Sequence, residues 1–180
     1  QDWILKTIVA IDTFTSNNQL IGTKSTIDAN YETKLNSKSY YYKLNNVSSS
    51  SLTTLESGVP VTVTQDNTSN VLVNIVNNTF NTTTKASTSL NQDLNFGHRL
   101  GGGYFQGKLY GLEMWKDGYK VRNFIPCKNA EGEVGLFDKV ESTFYPSTGD
   151  LPFYDDVYEE SSIPEEYTQV DYISSTGTQY

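Results

Sequence analysis

The sequence predicts an all-β protein, a two-sheet antiparallel β-sandwich with very little helix, and three observations carry this prediction. Seventeen of the thirty residues from 61 to 90 are Ser, Thr or Asn, and the chain holds thirteen tyrosines; β-branched Thr and aromatic Tyr favour strands. Short apolar runs, roughly ten to thirteen in all, recur between polar turns. No segment has a sustained helical period with caps. At 180 residues, the chain can bury a substantial core in one such domain.

The N-terminal half contains four predicted strand regions. Residues 3–11 are apolar on both faces, which is typical of a strand near the centre of two packed sheets. The tyrosines at 40–42 begin another strand. Residues 59–64 alternate valine with Pro or Thr, which indicates one wet face and an edge position for the proline. The polar run 65–70 is predicted to be the turn of a hairpin that continues through the strand 71–76.

The clearest local signal is a hairpin over residues 108–125. Apolar residues alternate up to the pair Asp117–Gly118, which tolerates positive φ, and then alternate again on the far side. A second turn at 131–132 leads into a strand at 134–137. These two turns fix the order of three antiparallel strands.

Composition excludes several classes of protein. The net charge of −8 argues against nucleic-acid binding, because phosphates require clustered Lys and Arg. No apolar run approaches the roughly 18 residues of a membrane span. With one Cys and one His, the chain can form neither an internal disulfide nor a His/Cys zinc site. Because it starts at Gln1 without a Met or a signal-like segment, we expect a processed chain or a fragment of a longer one.

Charge is unevenly distributed along the chain. Residues 1–139 hold all thirteen Lys and Arg against twelve acids, whereas residues 140–180 hold nine acids and no base. We interpret residues 151–166 as an acidic linker that self-repulsion keeps extended. A calcium site at the Asp155–Asp156 pair is the alternative, although the regular spacing of oxygen ligands that marks a calcium loop is missing.

The stretch from Leu94 to Gly149 carries a family resemblance through the segments GKLYGLEMWKDG, VRNFIPC, EVGLFD and FYPSTG. It resembles the concanavalin A-like, laminin-G-like jelly-roll modules of bacterial surface proteins and phage tail proteins, which often occur in tandem repeats. The resemblance implies a concanavalin-like jelly roll over residues 1–150 and an extracellular location on a cell or virion surface. It says little about ligand, because lectins, glucanases and inert spacers share the fold.

The C-terminal segment 164–180, PEEYTQVDYISSTGTQY, resembles the strand that opens such a module, yet here it closes the chain. Gln1 begins where the second strand of the family pattern would lie. Three explanations remain open. The chain is a repeat cut from a tandem array, or a permuted domain whose residues 167–180 fill the first-strand position, or a subunit whose last strand completes the sheet of a neighbour.

The third explanation gives the leading prediction of function. A sandwich that lacks a strand exposes backbone groups and an apolar groove, and an external strand satisfies both. Tyr167, Val170, Tyr172 and Ile173 are the predicted assembly residues, and a non-closing contact of this kind generates fibres. The sequence thus predicts a non-enzymatic extracellular structural module whose partners are copies of itself or neighbouring repeats.

A carbohydrate-binding module that takes surface glycans is the alternative. His98, Arg99 and Tyr104 flank a glycine run at 101–103 and form a candidate ligand loop. Trp3 and Trp115 are more typical of packing residues than of sugar platforms.

Catalysis is not expected, and no cofactor beyond calcium is considered. Glu131 and Glu133 have the i, i+2 spacing of a glycosidase pair, but they flank Gly132 in a predicted turn. His98 has no Ser or Cys beside it that would suit a nucleophile. Cys127 is predicted to be a small buried hydrophobic residue, with an intersubunit disulfide as the alternative.

Overall fold

A computed structural model of the chain describes its β-strand framework. The described residues are 2–14, 18–23, 31–36, 39–44, 47–50, 55–69, 71–77, 79–84, 94–96, 105–146, 164, 166–170 and 172–176. Within these ranges the protein is all-β and contains no helix, which confirms the predicted class. It follows that the described ranges also hold no helix able to cross a membrane.

Fifteen strands lie in the described ranges. In chain order they are β1 (Trp3–Ile11), β2 (Asn18–Thr23), β3 (Tyr31–Asn36), β4 (Ser39–Leu44), β5 (Val47–Ser50), β6 (Val61–Asp66), β7 (Val71–Val76), β8 (Thr79–Thr84), β9 (Leu94–Phe96), β10 (Gln106–Lys116), β11 (Tyr119–Asn129), β12 (Val134–Asp138), β13 (Thr143–Pro146), β14 (Tyr167–Gln169) and β15 (Ile173–Thr176).

The strands form two antiparallel sheets. The first follows the order β13-β12-β11-β10-β1-β6-β7-β8, with β14 added to β11 and β15 added to β10. The second follows the order β5-β4-β3-β2-β9. Antiparallel neighbours throughout are what short strands joined by tight turns produce.

One buried hydrophobic cluster receives side chains from both sheets. Leu20 and Ile21 of β2 belong to the second sheet, and both are buried. The other members are Leu5, Val9, Ile11, Leu55, Val61, Val63, Leu72, Val76, Phe105, Leu109, Leu112, Val170 and Ile173. Each fully buried aliphatic side chain of this kind stabilises the fold by about 1.5–3 kcal/mol.

Strand β1 lies in the middle of the first sheet, between β6 and β10, as its apolar sequence predicts. Leu5 and Val9 are buried on the face that contributes to the core, whereas Ile8 on the other face is 37% exposed. A register shift between Ile8 and Val9 marks a β-bulge against β10. The apolar sequence of β1 therefore predicts its central place in the sheet, but it does not mean that both faces of the strand are buried.

The predicted hairpins are confirmed. β10 and β11 pair through the turn Asp117–Gly118, whose φ angles of 49° and 85° match the twist of the flanking strands. β6 pairs with β7 as predicted, but β6 begins at Val61 rather than Val59. Val59 is 45% exposed, because residues 55–60 form a turn in which the Gly58 N–H donates to the Ile11 carbonyl.

Candidate assembly site

Strands β10 and β11 diverge after pairing over half of their length. They pair from Lys116 opposite Tyr119 to Leu112 opposite Phe124, and there their ladder ends. Beyond this point β10 stays with β1 on its other edge, and β11 stays with β12. The facing edges of β10 (residues 106–109) and β11 (residues 126–129) therefore bound a wedge-shaped gap in the sheet, which we call the fork.

The divergence has a local cause at Gly111. The β1–β10 register shifts at this position, since Ile8 faces Gly111 while Val9 faces Leu109. The Thr7 hydroxyl donates to the Gly111 carbonyl at 2.8 Å. A β-bulge increases local twist and bends the strand that carries it. This bend leads β10 away from β11.

The C-terminal arm, residues 166–170 and 172–176, fills the fork. β14 pairs with β11, and β15 pairs with β10. The Val170 N–H donates to the Pro126 carbonyl at 3.1 Å and continues the β14 ladder. Each half of the arm thus satisfies the backbone of one side of the fork.

Two aliphatic side chains of the arm enter the shared core. Val170 is 3% exposed and Ile173 is 8% exposed, and both belong to the hydrophobic cluster. Their neighbour Ser174 is also buried. The arm therefore supplies part of the core as well as two short strands.

Tyr172 packs on the face of β10 that points away from Ile173. Its ring meets the Tyr110 ring edge-to-face, with centroids 5.4 Å apart. The Lys108 ammonium lies 4.6 Å from the centroid of the Tyr172 ring. A cation–π contact contributes about 0.5–1 kcal/mol at an exposed site and more where the partners are desolvated, and Tyr172 is 9% exposed.

Electrostatics favour the charged form of Lys108 beside the arm. Partial burial lowers the pKa of this ammonium, but attraction to Tyr172 and Asp12 and a hydrogen bond with Tyr172 outweigh it. The net pKa is therefore raised, and Lys108 remains a cation over the tyrosine ring.

At the other end of the arm, Tyr167 packs between two aromatic residues. Its ring centroid lies 5.0 Å from that of Phe137 on β12 and 5.4 Å from that of Phe144 on β13. Tilted aromatic contacts at this spacing contribute about 0.5–1.5 kcal/mol beyond the buried area. The arm is thus anchored at both ends and through its middle.

Cys127 lies between β12 and β14, opposite Gly135 and Gln169. Its thiol is fully buried, as predicted. Burial raises the pKa of this thiol to about 12, although a hydrogen bond with the backbone of Phe137 acts in the opposite direction. The thiol is therefore neutral and unreactive while both strands are in place.

The four predicted assembly residues lie in the arm: Val170, Tyr172 and Ile173 are buried, and the half-buried Tyr167 packs against aromatic rings of β12 and β13. The sequence did not predict the residues that receive them. Lys108, Tyr110 and Phe137 lie on predicted strands and Phe144 lies in the segment FYPSTG, but nothing local links these residues to the C-terminal arm. The candidate ligand loop of His98, Arg99 and Tyr104 lies outside the described residues, as does the Asp155–Asp156 pair.

The predicted turn at 131–132 is confirmed, and its two glutamates sit in or beside it. Gly132 has a φ of 85°, and Glu131 and Glu133 are exposed. The Asn129 amide donates to the Glu133 carboxylate at 2.8 Å, while the Glu133 N–H donates to the Asn129 side-chain oxygen. These hydrogen bonds hold Glu133 across the turn, and both exposed glutamates lie at the tip of the hairpin.

The first sheet also has an open depression on the face that points away from the core. Its volume is about 240 Å³, and Gly111 is one of the residues that line it. The side chains around it are Lys6, Ile8, Glu113, Asn123 and Ile125. The Glu113 carboxylate pairs with the Lys120 ammonium at 2.6 Å, and that ammonium lies 4.9 Å from the Trp115 ring centroid. Apolar, charged and amide groups thus meet around one shallow site.

Comparison of the chain with protein-family models, with curated proteins and with solved structures gives no match.

Proposed function

We propose that this protein is a non-enzymatic structural module that assembles head to tail by C-terminal strand addition. The observation that carries the proposal is the fit of the C-terminal arm to the fork. One arm supplies strands to two diverging edges and side chains to the core. A strand of this kind can be donated by the same chain or by another copy, because the hydrogen bonds are the same in both cases.

The fold we propose is a concanavalin-like, laminin-G-like jelly roll in which the two sheets pack face to face. The core cluster shared between the sheets supports this arrangement. A module of this type would belong in a filament or a tandem-repeat fibre on a cell or virion surface. The acidic segment before the arm would then be the connection between successive units.

The reach of that connection supports exchange between copies. Seventeen residues separate Pro146 from Pro164, and an extended chain of this length spans at most about 60 Å. That reach exceeds what is needed to return to the parent fork, so the same segment can also deliver the arm to a neighbour.

Light-scattering mass and negative-stain imaging from micromolar to millimolar protein test the proposal. We expect the mass of the full chain to rise with concentration and fibres to appear. Val170→Asp and Ile173→Asp would place an unpaired charge in the core and should abolish assembly. Thr168→Asp, at an exposed position of the same strand, is the matched control. Normal fibres from either buried variant, or a wild-type monomer at every concentration, would contradict strand addition.

A disulfide can report which copy provides the arm. Val170 and Pro126 form the hydrogen-bonded pair, so Cys127 and Gln169 form the adjacent non-hydrogen-bonded pair. Their Cα atoms should be about 4.5 Å apart, within disulfide range. When Gln169→Cys is refolded under oxidising conditions, the disulfide can form before Cys127 is buried, and strand addition predicts a covalent ladder on a non-reducing gel at high protein concentration. Thr168→Cys projects to the other face and should not cross-link; a monomeric Gln169→Cys product alone would indicate closure within each chain.

The outer depression favours carbohydrate binding as a second candidate function. Its apolar side chains could pack on a sugar ring while Glu113 and Asn123 bind hydroxyl groups. A glycan array would show saturable binding by monomeric protein, and Gly111→Val, which adds a branched side chain to the lining of the depression, should remove that binding. Binding that survives this substitution would place the sugar site elsewhere.

A further inference from the structure

We propose that the fork is a preformed binding site for an extended peptide segment, supplied by the arm of another copy, and that the chain's own arm competes for it. The identity of the incoming segment rests on the proposed function. The existence of the site does not rest on the proposed function, because strands other than the arm hold both sides of the fork in place.

The β10 side is held independently of the arm. β1 pairs with β10 from Trp3 opposite Lys116 to Ile11 opposite Gly107, which includes all of the stretch that faces the arm except Gln106. The Asp12 N–H adds a hydrogen bond to the Gln106 carbonyl at 3.0 Å. Removing the arm leaves this ladder complete.

The β11 side is held by β12 and by a buried carboxylate. β12 pairs with β11 from Phe124 to Lys128, on the edge away from the arm. Asp138, which is fully buried, accepts the N–H groups of Asn123 and Val140 at 3.0 Å each. Both sides of the fork therefore have support that the arm does not provide.

The empty fork would select its occupant through three contacts. The core accepts two aliphatic residues, Val170 and Ile173 in the arm. Tyr110 and Lys108 receive an aromatic ring from one end, and Phe137 with Phe144 receives a second ring from the other. The site thus fits an extended segment with the pattern Tyr-x-x-Val-x-Tyr-Ile.

Charge complements this pattern. Lys108 faces Ser174 across the β10 ladder, and Lys128 faces Thr168 across the β11 ladder. The incoming chain carries nine acids and no base over residues 140–180. An acidic tyrosine-containing strand is therefore attracted to the fork before it docks.

The chain's own arm has an advantage of proximity. A tether of this length gives an effective concentration of about millimolar. A free segment must exceed that value to displace an arm of equal affinity. Exchange between copies is therefore rare at low protein concentration. It begins when the chain's own arm is disabled, or when the concentration of arms from other copies exceeds the effective concentration of the tethered arm.

A labelled peptide tests this competition in the full chain. A fluorescent peptide of residues 164–178 is titrated into wild-type protein and into full-length Ile173→Asp protein, whose own arm is disabled. We expect the Ile173→Asp protein to bind at least tenfold more tightly, as measured by anisotropy. A peptide carrying the same Ile173→Asp change should bind neither protein.

Each result decides the inference. Equal affinity of the two proteins, no binding up to millimolar peptide, or an unfolded Ile173→Asp protein by circular dichroism would overturn it. As a second measurement, wild-type protein with a protease site at 155–160 is cleaved after folding, and exchange of its arm for labelled peptide should follow. If the protein binds the peptide but never assembles, the fork is a peptide site and the proposed function is wrong. If the protein assembles but does not bind the peptide, the proposed function stands and the peptide site is wrong.

Discussion

At the scale of single residues, the arm and the fork recognise each other through side chains of different kinds. Val170 and Ile173 contribute burial, whereas Tyr167 and Tyr172 contribute ring contacts that also fix position along the strand. Burial alone would tolerate a shift of two residues along the ladder, because the side-chain period of a strand is two. The aromatic contacts at both ends oppose such a shift.

Cys127 makes stability depend on alkaline pH. Its pKa is about 12 in the folded protein against an ordinary value of 9.0. Between these values the unfolded chain releases a proton that the folded chain retains. The free energy of unfolding should therefore be unaffected below pH 9 and fall above it, by up to about 1.4 kcal/mol per pH unit.

Urea unfolding at pH 7, 8, 9 and 10 measures this dependence, with Cys127→Ala as the reference that lacks the thiol. Above pH 9, the unfolding free energy of the wild type should fall relative to that of the variant. Parallel losses of stability in the two proteins would mean that the thiol does not titrate in this way. The comparison cancels the contributions of Tyr and Lys, which also titrate in this range.

At the scale of elements, the close approach of β13 to β12 depends on Gly135. A Cβ at this position would lie 2.3 Å from the Tyr145 carbonyl oxygen and 2.7 Å from the Phe144 ring. Gly135→Ala should therefore force the edge strand outward and destabilise the protein by about 1–3 kcal/mol. Thermal unfolding with Gly111→Ala as the control checks this.

Gly111 suits this comparison because it lies on β10 in the same sheet and has space for a methyl group. The nearest atom to its added Cβ is the Phe124 carbonyl oxygen at 3.6 Å, an ordinary contact. Its variant should stay within about 0.5 kcal/mol of wild type. Equal effects of the two substitutions would show that strand propensity, rather than the contact with β13, governs Gly135.

The elements that the sequence predicts well are those with local partners. The hairpin at Asp117–Gly118 and the turn at Gly132 follow from residues that adopt positive φ, and both occur as predicted. The fork could not be predicted, because β15 pairs with a strand more than sixty residues earlier in the chain. The bulge at Gly111 also leaves no clear mark in the sequence, because the apolar residues of β10 alternate almost regularly through it.

The same reasoning applies to the candidate site. Tyr167, Val170, Tyr172 and Ile173 could be chosen from alternation and from their resemblance to an opening strand. Their partners depend on which two edges diverge, and that is a property of the whole sheet. Sequence patterns thus identified the segment that docks but not the place where it docks.

At the scale of the whole molecule, both ends of the acidic connection lie at the same end of the first sheet. Pro146 faces Gly135 and Tyr167 faces Asn129, with β11 and β12 between them. Pro146 and Tyr167 are therefore three strand spacings apart across the sheet and two residues apart along the strands, which corresponds to a distance of about 15 Å. The connecting residues 147–163 can span several times that distance.

This excess length leads to a prediction about assembly. Deleting residues 147–163 joins Pro146 to Pro164, and the turn in which the Tyr167 N–H donates to the Pro164 carbonyl is retained. The remaining chain reaches only about 11 Å, so the arm cannot return to its own fork. We expect this variant to form oligomers at micromolar concentration, where the wild type is mostly monomeric, as measured by light scattering.

A variant in which seventeen Gly and Ser residues replace 147–163 separates length from charge. Because its reach is unchanged, it should behave as the wild type at low concentration and still assemble when concentrated. If the deletion variant is instead a monomer whose Cys127 reacts rapidly with a thiol reagent, its arm hangs free and does not enter a second copy. Adding Ile173→Asp to the deletion variant should make its oligomers disappear. Because Ile173 also holds the arm in the closed monomer, this result would show that the same contact forms within one chain and between copies.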